Sequence, residues 1–170
     1  MTFALLESLI IADASPLIGF AKIGRLGLLR SLARELWIPR AVWLEVTAGA
    51  SGRAEAGDLV SHLAGAVRDI DPVLSGKFVR QVDPGEAAAV ALAITSPGCL
   101  LLIDDAAGRR VAEAEGIRCI GAAGLLLRAK RAGLISSLSD DLTGLRRHGY
   151  FLSEKLVGQL LAAAGERLTE

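Results

Sequence analysis

The stretch Ser8–Lys22, SLIIADASPLIGFAK, constrains the fold more than any other part of the chain. Its apolar run Leu9, Ile10, Ile11 stops at Asp13, and Ser15-Pro16 opens a run with apolar residues at helical spacing. The segment therefore predicts a buried strand, a tight turn and a helix start. A strand without a polar face needs cover on both sides, which is the situation of a parallel sheet flanked by helices. The turn leaves a carboxylate at the end of a strand, and in open α/β sheets ligands bind at those carboxyl ends.

The rest of the chain keeps the alternation. Pro16 to Leu32 predicts a helix, a turn around Gly24 and a second short helix; Glu35 to Pro39 a short strand ended by proline; Arg40 to Val46 a helix. From Thr47 to Gly57 the apolar period gives way to Gly, Ala, Ser and Arg, which predicts a mobile loop. Asp58 to Ala66 is expected to be helical and Val67 to Pro72 a short third strand. Asp83-Pro84-Gly85-Glu86 has the form of a helix start, with Asp83 as N-cap, Pro84 at the first helical position and Glu86 completing a capping box. That helix runs to Thr95 and breaks at Ser96-Pro97-Gly98. Cys99 to Ile103, CLLLI, is the most apolar strand and ends in Asp104-Asp105.

Gly108 to Gly116 predicts a helix, Ile117 to Ile120 a strand, and Ala122 to Ala132 a helix with Arg128, Lys130 and Arg131 on a basic face. Two more helices follow from Ser137, separated by His148-Gly149-Tyr150, with Ser153-Glu154 starting the last. The fold class this order implies is α/β, a three-layer α/β/α domain with a central parallel sheet. Its 170 residues, 52% of them apolar, suit a single domain over residues 1–170 with a helical C-terminal extension from about residue 137.

Nineteen Lys and Arg balance nineteen Asp and Glu, so no overall field draws a polyanion in, and a local patch or a metal would have to do so. Zero net charge also favours association, which leads us to expect a homodimer or a tight partner. Cys99 and Cys119 fall in apolar runs and read as core thiols. The N-terminal MTFALLESLIIAD carries Glu7 and no basic segment, resembling neither a secretion signal nor a membrane span, so the expected location is the cytoplasm with no membrane contact.

Sorted by position, the acids form a constellation. Asp13 ends the first strand, Asp104 and Asp105 end the strongest later one, and Glu45 and Glu86 lie on helices that follow strands or loops. In a doubly wound sheet these positions can converge on one edge, where like charges would raise one another's pKa unless a counter-charge is bound. Mg²⁺ or Mn²⁺ answers that need with oxygen ligands and retained waters. Singly, each acid has a plainer role: Asp13 as a turn residue, Glu86 as a cap partner, Glu45 as a solvated helix residue. Two adjacent aspartates after an apolar strand are harder to explain, because they repel without helping the fold. No HExxH, GxSxG, Walker or GxGxxG motif is present, and His62 and His148 show no metal spacing.

Four segments, IIADASPLIGFAKIGRLGLL, IPRAVWLEV, DPGEAAAVALA and LLIDDAAGRRVAEAEGI, followed by the helical AGLLLRAKRAGLI, resemble the PIN-domain ribonucleases, in particular the VapC-like toxins of prokaryotic toxin-antitoxin modules. The resemblance covers nearly all of the chain. It implies a metal-dependent endoribonuclease that uses a Mg²⁺- or Mn²⁺-activated water, with RNA as substrate and a cognate antitoxin as partner. It carries Asp13, Glu45, Glu86 and the pair Asp104 and Asp105 to a catalytic metal site, either member of the pair serving as ligand, and Ser15 to a hydroxyl supporting the first acid. The third acid is often aspartate in the family and is glutamate here. Arg109, at a helix start after the aspartate pair, is placed to reach a scissile phosphate. The competing expectations are a catalytically silent PIN-fold binding protein and a phospho-receiver-like signalling domain. The latter needs its acidic pair after the first strand and a lysine after a late strand, where this chain has a late pair and Gly121 after Ile120.

Overall fold

The computed structural model describes residues 7–167. Strand β1 (Glu7–Ala12) is followed by α1 (Ala14–Lys22), α2 (Gly27–Leu32), β2 (Ala33–Pro39), α3 (Arg40–Ala50), α4 (Ala56–Leu63), β3 (Val67–Arg68) and α5 (Pro72–Ser75). Then come α6 (Pro84–Ile94), β4 (Leu100–Leu102), α7 (Ala106–Ala114), β5 (Arg118–Ile120), α8 (Ala122–Arg131), α9 (Leu138–Arg147) and α10 (Glu154–Ala164). The five strands are all parallel in the order β3-β2-β1-β4-β5, so the sheet grows one way from β1 to β2 and the other way from β1 to β4. The gap between β1 and β4 is therefore the switch point of the sheet.

Side chains that alternate along the strands feed two separate cores. On one face Ile10, Leu36, Ile38, Leu100 and Leu102 pack under α1, α3, α8, α9 and α10. On the other, Ile11, Leu101 and Ile103 meet the alanine-rich α6, every residue of which from Ala87 to Ala93 is buried. Alanine is what allows α6 to lie close to the sheet: small side chains around its whole circumference leave no polar stripe and demand burial. The two C-terminal helices belong to the first core through Leu138, Leu142, Leu145, Val157 and Leu161, and the N-terminus of α9 is capped by Glu166, which accepts from the amides of Leu138 and Ser139 at 2.9 Å each.

Three expectations shift. Helix α3 runs through Thr47 to Ala50, where the sequence predicted loop; Val42, Val46 and Ala50 form one buried stripe at four-residue spacing, and alanine extends a helix at no propensity cost. Strand β3 is only Val67–Arg68, because Asp71-Pro72 starts α5 with Asp71 accepting from the Val73 amide at 2.8 Å, the same cap signal as Asp83-Pro84. Helix α7 begins at Ala106 rather than Gly108, since Asp105 is its N-cap. Among the described residues no helix is long and apolar enough to cross a membrane.

Candidate functional site

Asp13 leaves the carboxyl end of β1 and Asp104-Asp105 leave that of the neighbouring strand β4; the Asp13 amide bonds the Leu102 carbonyl at 3.0 Å, locking the two ends in register. The switch point thus sets these acids side by side. Glu45 reaches in from α3, and the Asp83-Glu86 capping box presents its own two carboxylates from the start of α6. Asp13, Ser15, Glu45, Asp83, Glu86, Asp104 and Asp105 all line one open pocket of about 400 Å³, closed on one side by Tyr150 and Phe151. Arg109 is not among its walls; it lines the adjoining groove.

Within this pocket the acids differ in surroundings. Asp13 is 4% exposed and enters no ion pair among the described residues, and burial pushes its pKa up to about 7; the charges of Glu86, Asp83 and Glu45 add to the rise and the Ala14 amide opposes it. Burial and the Asp83 charge also raise Glu45. Glu86 is raised by burial first, with Asp83 and Asp105 contributing, although the Asp83 amide donates to its Oε2 at 3.2 Å. A Cβ at Gly85 would stand 2.9 Å from Glu45 Oε2 and 3.4 Å from Asp83 Oδ1, so a side chain there would displace the Glu45 carboxylate from this position.

The aspartate pair divides its work. Asp105 faces Glu86 on the pocket side while its Oδ1 caps α7, accepting from the amides of Ala107 and Gly108 at 2.8 and 2.9 Å. Asp104 lines the pocket too, with both carboxylate oxygens engaged by neighbours. Its Oδ1 accepts from the Ala122 amide at 2.9 Å and its Oδ2 from the Tyr150 hydroxyl at 2.7 Å. With its single proton given to a carboxylate, Tyr150 accepts at 3.0 Å from Ser15, whose hydroxyl is thus engaged by Tyr150 rather than by Asp13. Burial and the Asp104 charge hold the Tyr150 phenol far above its ordinary pKa, so it remains a donor.

Two wall residues escaped the sequence reasoning. Asp83 was legible only as a helix cap, since nothing in DPGE tells a capping aspartate from one that also faces a site. Tyr150 stood in an interhelical connection 135 residues from Ser15, and no local signal links the two. The basic residues of α8 and α9, in contrast, are largely spent internally: Arg128 pairs with Glu7, Lys130 with Glu166 and Arg146 with Glu154, while Arg131 donates to the Ala163 carbonyl.

The donor set is all carboxylate oxygen, the chemistry of a hard divalent cation. Among the described residues no three His, Cys, Asp or Glu side chains close on one point as a cage would. An open ring of acids fits Mg²⁺ or Mn²⁺ that keeps waters and takes one or two direct carboxylates, and it does not fit a dehydrated all-protein site.

No curated protein and no solved structure matches the chain. A family model described as a PIN domain matches residues 9–166, which takes in β1 from Leu9 onward, the other four strands, the acidic pocket and both C-terminal helices. With that match spanning nearly the full sequence, and a parallel sheet whose switch point gathers the acids, the chain belongs to the PIN-domain family.

Proposed function

We propose that the protein is a metal-dependent endoribonuclease, the toxin of a toxin-antitoxin pair. PIN domains are generally nucleases that use divalent metals, which supports the class of chemistry. The observation that carries the proposal is the convergence of Asp13, Glu45, Glu86 and Asp105 on one open pocket with no cation of the protein's own among its walls. Uncompensated acids raise one another's pKa and destabilise the fold, so a pocket of this composition is best explained by a ligand that brings positive charge.

Asp13, Glu86 and Asp105 would hold the cation, directly or through its waters, with Glu45 and Asp83 around it. Bound Mg²⁺ or Mn²⁺ supplies the counter-charge for an approaching phosphodiester and acidifies a water for attack on it. The protein's part is to fix these acids on rigid element ends. Asp104 acts through others, joining β4 to the N-terminus of α8 and to Tyr150, and Tyr150 ties the α9–α10 connection to α1 through Ser15. Arg109, standing on α7 in an adjoining groove, is a cation available to a phosphate. Sequence resemblance and zero net charge support a homodimer silenced by an antitoxin.

The decisive experiment incubates the purified protein with total RNA, with Mg²⁺ or Mn²⁺ and with chelator, and maps new ends. Cleavage that needs the metal and is lost in Asp13→Ala is expected. Intact metal-dependent cleavage by Asp13→Ala refutes the assignment, and a wild type that neither cleaves nor shows saturable Mn²⁺ heat is a silent PIN-fold binding protein.

A further inference from the structure

A second groove of about 390 Å³ adjoins the acidic pocket and shares Asp104, Tyr150 and Phe151 with it. Its lining includes the apolar Ile120, Leu152 and Leu156 together with Arg109. Phe151 lines both and is 90% exposed, the most exposed large apolar side chain among the described residues. Exposure of one phenylalanine is ordinary. Both of its chain neighbours are anchored: the Tyr150 amide bonds the Leu145 carbonyl at 3.0 Å, the Tyr150 hydroxyl bonds Asp104, and the Leu152 carbonyl accepts from Arg146 at 2.7 Å. An exposed aromatic ring is thus carried between two anchored residues beside the acidic site.

Arg109 complements it. Among the described residues this arginine enters no ion pair, and its Nη1 lies 3.4 Å from where a Cβ on Gly121 would stand, with Asp104 Oδ1 2.7 Å from the same point. The missing side chain at Gly121 makes room for the Asp104 carboxylate beside the arginine.

We infer that this groove is a subsite for one unpaired nucleotide next to the scissile phosphate, its base stacked on Phe151 and its phosphate held by Arg109. The inference rests on the nuclease proposal for the placement of the scissile phosphate. Base–aromatic stacking accepts any base, since every base has a π-face, and it is closed to a base already stacked within a duplex. The subsite therefore selects single-stranded or looped RNA over duplex without reading sequence.

The test measures binding of a labelled single-stranded RNA octamer and of the corresponding duplex in chelator, by fluorescence anisotropy, to wild type, Phe151→Ala and Phe151→Trp. Wild type should prefer the single strand. Phe151→Ala should lose at least about fivefold in single-strand affinity, the low end for one stacked base, with duplex binding unchanged. Phe151→Trp should retain affinity, and its additional indole emission should be quenched by the single strand. Because Phe151 is exposed, an unchanged thermal midpoint in both variants is expected. Single-strand affinity of Phe151→Ala within twofold of wild type overturns the subsite and leaves the face to a protein partner, as does equal loss for strand and duplex. Cleavage by wild type with Mg²⁺ is scored alongside: cleavage with no effect of Phe151→Ala on binding sinks only the subsite, whereas Phe151-dependent binding without any cleavage sinks only the nuclease.

Discussion

Replacing Asp13 by asparagine should make the protein more stable, and only above a defined pH. The carboxyl of Asp13 has a pKa of about 7 in the folded chain against an ordinary 3.8, with burial as the main cause. Between those two values the folded state holds a proton that the unfolded state has released, so stability falls as pH rises. Below about pH 4 both states are protonated and Asp13 contributes nothing; above about pH 7 both are ionised and the full cost is paid. At 1.36 kcal/mol per pH unit the gap amounts to roughly 4 kcal/mol at pH 8, and Glu45 and Glu86, raised in the same direction, deepen the trend. For a chain of this length that corresponds to a thermal midpoint on the order of 10 °C higher for Asp13→Asn at pH 8. Urea denaturation of both proteins from pH 4 to pH 8.5, in chelator, measures the difference directly. A gap between variant and wild type that does not widen over this range would refute the burial of an ionisable Asp13. Repeating the pH 8 measurement with Mg²⁺ separates the two roles of the residue, because a cation bound only by the folded state should restore stability to wild type and less to the variant.

The aspartate pair can be split. Asp105→Asn should weaken Mn²⁺ binding by calorimetry with little change in midpoint, since asparagine caps a helix about as well as aspartate. Asp104→Asn should keep the Mn²⁺ heat, because an amide can accept from Ala122 and donate to Tyr150 if the phenol turns its proton to Ser15; loss of heat in this variant alone would reverse the assignment. Tyr150→Phe keeps the ring and removes the donor to a carboxylate, a bond worth about 1.5–3 kcal/mol, so its thermal midpoint should fall by several degrees, and an unchanged midpoint would show that the Asp104 contact is not made in solution. Arg25→Ala strips Asp141, 6% exposed, of a guanidinium that bonds both its oxygens at 3.0 and 3.1 Å; a loss of about 2 kcal/mol in urea denaturation is expected, and a loss under about 0.5 kcal/mol would contradict the pairing.

Local chemistry accounts for what the sequence made legible. Helix starts at Asp83-Pro84 and Ser153-Glu154 are written in the residues that satisfy their own first amides, and the run CLLLI, short and bounded by Ser96-Pro97-Gly98 and Asp104-Asp105, reads as a strand with cover on both faces. The same signal stands at Asp71-Pro72, where it starts α5 and cuts the expected third strand short, and the Gly and Ala of Thr47–Ala50 predict a loop where burial of Ala50 decides for helix. The acids themselves were found because carboxylates at strand ends are conspicuous, while the cap at Asp83 concealed a wall of the same pocket.

Sequence by itself determined that the chain alternates strand and helix, that its strands are buried, and that acids stand at the ends of β1 and β4. These are consequences of side-chain periodicity and backbone capping, which act over a few residues. Tertiary structure decided which of those acids meet. Strand order placed β1 beside β4, so that Asp13 and Asp105 share a pocket, and the return of α9 and α10 to the sheet brought Tyr150 against Asp104 and Ser15. A hydrogen bond between residues more than a hundred positions apart leaves no trace in either neighbourhood, because its energy comes from packing that closes the loop between them.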